Sequence, residues 1–125
     1  MKGFWEKRRI LKSINALDLI PVIIVKFEKN NENKIKLLVP RFSINFFYQI
    51  FKGKHLSPDY KVSLDETGSC VWLLIDGNRT ISEISVEIIN NYKSGNFSLE
   101  NIDERITAFI SKMYQEEYIT FRQLL

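Results

Sequence analysis

At Asp65 the spacing of apolar side chains changes, and no other feature of the sequence limits the fold as much. Just before it, Tyr60-Lys61-Val62-Ser63-Leu64 alternates with the period of two expected of a half-exposed strand. After it, apolar residues recur about every 3.6 positions and helix boundaries are marked explicitly. Asp65 can cap a helix carrying Val71, Trp72, Leu74 and Ile75, and Gly77 lies just past its end, where a left-handed residue suits glycine. Thr80 and Glu83 have capping-box spacing before a helix lined by Ile81, Ile84, Ile88 and Tyr92. Ser98 can cap a third helix, with Ile102, Ile106, Phe109, Ile110 and Met113 as its apolar stripe. Tyr118 to Phe121 reads as a short extended segment.

Upstream of the switch the chain reads as mainly sheet. Val22 to Phe27 is rich in β-branched residues and Lys34 to Val39 follows, so the two are expected to form a hairpin. The Asn30-Asn31-Glu32-Asn33 loop between them has no expected internal order, and Pro40 stops the second strand. Phe42 to Phe51 is aromatic-rich and Lys52 to Asp59 is a loop. Phe4 to Leu17 has near-helical apolar spacing, and its Lys7, Arg8, Arg9 and Lys12 suit a solvated face better than a membrane surface or an acidic partner. The expected fold is α+β and winged-helix-like: a three-stranded antiparallel sheet followed by a three-helix bundle, with an extra N-terminal helix. With 125 residues there is room for one full domain, so residues 1–18 are assigned to the N-terminal helix and 19–125 to the domain.

Composition then removes most chemistry. Cys70 is the only cysteine and His55 the only histidine, so a disulfide, a paired-thiolate zinc site and a multi-histidine metal site are all excluded. Cys70 reads as a structural thiol and His55 as a surface histidine. The acidic residues Glu83, Glu87, Asp103 and Glu104 read as solvated caps and faces rather than catalytic carboxylates, and no Gly-rich phosphate loop is present. The expectation is a non-enzyme without a cofactor. No stretch approaches a membrane span and no signal-peptide region opens the chain, which reads as soluble and cytoplasmic.

Charge separates the remaining functions. Residues 65–118 carry ten acidic and four basic side chains, whereas the rest carries five acidic and fourteen basic. The third helix of a winged helix ordinarily enters the major groove and must be basic to neutralise phosphates. Here Leu99 to Glu117 holds five acidic residues against Arg105 and Lys112, a poor groove reader, so no specific nucleic-acid partner is expected. Strand addition suits the pattern better: an edge strand offers a row of unpaired amides and carbonyls to an extended peptide. The candidate edge is Tyr60, Lys61, Val62, Ser63 and Leu64, with Phe109 and Met113 as apolar pockets and Arg105 and Lys112 at the rim. A proline at Val62 is then expected to remove an edge amide.

The order Val62-Ser63-Leu64-Asp65-Glu66-Thr67-Gly68-Ser69-Cys70-Val71-Trp72, followed by Ile75-Asp76-Gly77-Asn78-Arg79-Thr80-Ile81-Ser82-Glu83-Ile84, resembles the PqqD family of peptide chaperones, also called RiPP recognition elements. Leu37 to Phe42 is similar to the second-strand segment of a PqqD-like subgroup, and the likeness extends over residues 20–121. The resemblance implies a non-catalytic, peptide-binding chaperone of cofactor biosynthesis and peptide modification. It captures the leader of a ribosomally made precursor beside the third strand, against a helical wall that includes Arg105, Ala108, Phe109 and Lys112. It also implies a modifying-enzyme partner, often a radical S-adenosylmethionine enzyme that holds its own iron-sulfur cluster. The N-terminal helix and the 42–59 insertion depart from the family pattern. The insertion can cover the sheet edge, contact an enzyme or pair two copies into a homodimer. Two alternatives are a winged-helix transcription regulator and a structural subunit of an enzyme complex.

Overall fold

In the computed structural model, residues 2–39, 60–91 and 99–125 are described. Helix α1 (Phe4–Ser13) is followed by a 3-10 turn at Ala16–Asp18 and strands β1 (Pro21–Ile23), β2 (Lys26–Lys29) and β3 (Ile35–Val39). Then come β4 (Tyr60–Ser63), α2 (Glu66–Leu73), α3 (Ile81–Asn91), α4 (Ile102–Gln115), β5 (Ile119–Phe121) and a final turn at Arg122–Leu124. The architecture is α+β: an antiparallel sheet in the order β2-β3-β4 precedes the helices, consistent with a winged-helix-like fold. None of the helices among the described residues is long and apolar enough to cross a membrane.

The run Val22 to Phe27, expected as one strand, is divided between two sheets. β1 pairs with β5 through Pro21↔Phe121 and Ile23↔Ile119, whereas β2 pairs with β3 through Phe27↔Leu37. The chain changes partner at Ile24-Val25, and the Ile24 N–H still donates to the Tyr118 carbonyl at 3.1 Å. Alternation indicates extended backbone but not which strand lies beside it. The β2–β3 turn is ordered, contrary to expectation. Asn30 Oδ1 accepts from the Glu32 and Lys34 N–H groups at 2.8 and 2.9 Å, and Asn33 takes φ +62°, a conformation asparagine tolerates. Helix α1 stops at Ser13 rather than Leu17, and α4 starts at Ile102 after a left-handed Asn101. Leu74 and Ile75 lie beyond the end of α2. The expected roles of Ser98, of Tyr92 and of the 42–59 insertion fall outside the described residues.

The helix boundaries after residue 65 follow the sequence. Asp65 Oδ1 accepts from the Gly68 N–H at 2.7 Å, and Thr80 and Glu83 exchange the two capping-box bonds at 3.0 and 3.1 Å. Gly77 takes φ +81°, and the Arg122 guanidinium donates to its carbonyl at 2.7 Å and to Asn78 Oδ1 at 3.0 Å. Within that turn the Asn78 and Arg79 amides, and then the Arg79 charge, hold the Asp76 carboxyl below the usual carboxylate range. Its stabilising effect is therefore present at neutral pH and disappears as the pH falls through and below that range.

Ile35, Leu37 and Val39 of β3 point inward with Trp72, Ile84, Ile88, Ile106 and Ile110. Ser69 joins sheet to helix inside this core, its Oγ accepting from the buried Ile35 N–H at 2.9 Å. Ser69→Ala would strand that amide, which costs about 1–3 kcal/mol. Chemical denaturation of the variant should register a loss in this range, and an unchanged midpoint would contradict the role.

Candidate functional site

The β3–β4 register decides what β4 can offer. The pairs are Lys36↔Ser63, Leu37↔Val62, Leu38↔Lys61 and Val39↔Tyr60, and the Leu64 N–H donates to the Ile35 carbonyl at 2.9 Å. Hydrogen-bonded and non-hydrogen-bonded pairs alternate along an antiparallel ladder. Val62 therefore turns its amide and carbonyl toward Leu37, and Tyr60 toward Val39. Lys61 and Ser63 turn theirs to the opposite edge, where no strand pairs among the described residues. The sequence-based choice of Val62 as an edge donor is thus corrected by register: the outward amides belong to Lys61 and Ser63.

Side chains alternate the other way. Val62 is half-buried and packs on the core, and Leu64 is buried. Lys61 and Ser63 lie on the exposed outer face, where Lys61 Nζ is 3.7 Å from Glu28 Oε1 across β3. At the Ser63–Leu64 end of the strand, Lys29, Asn30, Lys34 and Lys36 help line a hollow of about 200 Å³ whose charge is mostly positive.

Helix α4 reaches the first turn of α2, just past this strand, through Phe109. A Cβ on Gly68 would lie 3.0 Å from Phe109 Cε1 and 3.1 Å from Asp65 Oδ1, so the missing side chain is what lets the ring settle on the first turn of α2. Asp65 is two residues past the end of β4. At about 100° per residue, Arg105 and Lys112 share Phe109's flank of α4, and both are exposed. Thr107, Ser111 and Tyr114 occupy the other flank, facing Leu11 and Ile14. Ala108 is exposed in a hollow with Leu17, Asp103 and Glu104, turned away from Phe109. Met113 is buried in the core rather than open as a pocket wall.

The structure therefore brings together the Lys61 and Ser63 main chain with Val62 and Leu64, and seats Phe109 on the adjoining first turn of α2, a contact in which Ala108 and Met113 take no part. Gly68 and Ser69 were not singled out from the sequence as parts of this arrangement, although the small residues Gly68-Ser69-Cys70 at the start of a helix are the sign that something packs closely there. Cys70 is half-buried within α2, and His55 lies outside the described residues. Asp103 and Glu104 are exposed on α4, with Glu116 and Glu117 just past its end, so the helix is acidic toward solvent.

This sequence of strand edge, capped small-residue helix, Asp-Gly turn and capping box coincides with a known family. A family model described as Coenzyme PQQ synthesis protein D (PqqD) matches residues 56–119, just over half of the chain. The chain belongs to the PqqD family. The PqqD match takes in β4, α2, α3 and α4 and ends on the first residue of β5, leaving α1 and β1 to β3 outside it. Neither a curated protein nor a solved structure matches the chain significantly.

Proposed function

We propose that this chain is a peptide-recognition module without chemistry of its own, which captures the leader of a ribosomally made precursor on the β4 edge and presents it to a modifying enzyme. The observation that carries the reading is the outward row of main-chain groups on Lys61 and Ser63, on the strand that leads directly into the α2 turn where Phe109 packs. An antiparallel visitor bonds to both groups of both residues, which sets register, while its inward side chains meet Val62 and Phe109, which sets selectivity. Membership of the PqqD family supports the reading, since that family serves cofactor biosynthesis as a peptide-binding chaperone. The iron-sulfur chemistry of a radical S-adenosylmethionine partner would reside in that partner.

Lys61 and the lysines around Ser63 at the edge, with Arg105 and Lys112 on the Phe109 flank of α4, favour an acidic leader and act mainly on its rate of arrival. The probe is a synthetic leader of any short precursor-like reading frame found beside the gene, titrated by calorimetry and stopped-flow. Arg105→Glu should weaken capture by about three- to tenfold at low salt, with the difference shrinking above ~0.1 M as the charges are screened. Equal association rates at every salt concentration would remove charge steering from the account. Absence of any affinity for the leader would overturn the proposal itself.

A further inference from the structure

Helix α1 packs on the domain with one side only. Ile10, Leu11 and Ile14 lie against the core, and no residue of the helix is buried. At about 100° per residue the side facing away from the core carries Trp5, Arg8, Arg9 and Lys12, whereas Phe4 falls in line with Leu11 and edges a hollow with Lys7, Ile24 and Tyr114. Trp5 is 76% and Phe4 68% exposed, their rings meeting edge-on at 5.2 Å. Among the described residues, Arg8, Arg9 and Lys12 have no acidic partner.

We propose that the outer face of α1 docks this protein reversibly on an anionic phospholipid surface, with the Trp5–Phe4 tip entering the headgroup layer and Arg8, Arg9 and Lys12 above the lipid charges. Trp5 stands 76% exposed on the convex outer face of the helix, and a headgroup layer receives such a ring without a matching groove. A partner helix would need an apolar seam along α1, but the stripe that could supply one is already occupied by the core. The three cations complement lipid phosphates along the rest of the face. This surface is separate from the β4 edge and does not depend on the peptide-binding proposal.

The two tryptophans make the test direct, because Trp72 is fully buried and Trp5 is not. The full chain should sediment with phosphatidylcholine vesicles containing phosphatidylserine but not with phosphatidylcholine alone. Binding should blue-shift the Trp5 emission and protect it from acrylamide. Arg8→Gln with Arg9→Gln should lower partitioning by roughly thirtyfold, with circular dichroism unchanged because neither side chain supports the fold. Phe4→Ser with Trp5→Ser should abolish sedimentation at physiological salt. A wild-type chain that stays in the supernatant, or variants that bind as well as it does, would overturn the proposal. Protection of Trp5 by a polyglutamate peptide or a single-stranded oligonucleotide, with none from anionic vesicles, would overturn it too.

Discussion

Trp72→Ala is expected to lower folding stability by about 3–5 kcal/mol, the range for removing a large aromatic side chain from a packed core. Trp72 is the largest fully buried side chain, and its ring meets Phe27 edge-on at 5.8 Å, linking α2 to β2 at the end of the sheet distant from β4. Deleting it opens a cavity between helix and sheet that backbone held by the Ser69–Ile35 bond cannot readily close. The indole N–H has no hydrogen-bond partner among the described residues, so Trp72→Phe loses volume without losing a bond and should cost far less than alanine. Urea denaturation followed by far-UV circular dichroism measures both variants. An alanine variant within about 1 kcal/mol of wild type would show that the helix does not depend on this side chain.

The second large effect concerns binding. Ser63→Pro should weaken leader capture by about 2–3 kcal/mol, because one outward donor is lost and the visiting carbonyl that would face it is left unpaired. The β3–β4 ladder should survive, since the Ser63 amide points away from β3. Val62→Pro makes the contrast: it removes a bond to Leu37 inside the sheet, so it should destabilise the fold rather than report on the edge. Calorimetric titration of folded Ser63→Pro with the leader decides the matter, and an affinity equal to wild type would rule out strand addition at β4.

What could be read from the sequence was what is local in the chain. The Asp65 cap, the Thr80–Glu83 box and the left-handed Gly77 each depend on residues within a few positions of one another, so spacing alone revealed them. The β1–β5 pairing joins opposite ends of the chain, and the unbroken apolar run from Leu19 to Val25 gave no sign that its partner changes. Arg122 bonds to the Gly77 carbonyl from a position far along the sequence, with no local pattern to indicate it. The candidate site was divided in the same way. Tyr60 to Leu64 was recognisable as a strand by its period of two, and Phe109 by its helical stripe. Which amides face outward depends on register with β3, and whether Ala108 or Phe109 packs at the end of the strand depends on how α4 is rotated against α2, where the Gly68 contact places Phe109.

Amide hydrogen exchange along β4, measured with and without the leader, separates an open, leader-binding edge from a closed one. The free chain should show alternation: Val62 and Leu64 exchange slowly because they donate to β3, and Lys61 and Ser63 exchange fast. Saturation with the leader should slow Lys61 and Ser63 while leaving Val62 and Leu64 unchanged. A leader that binds while Lys61 and Ser63 still exchange at the free rate, or a free chain in which both are already protected, would contradict strand addition at this edge.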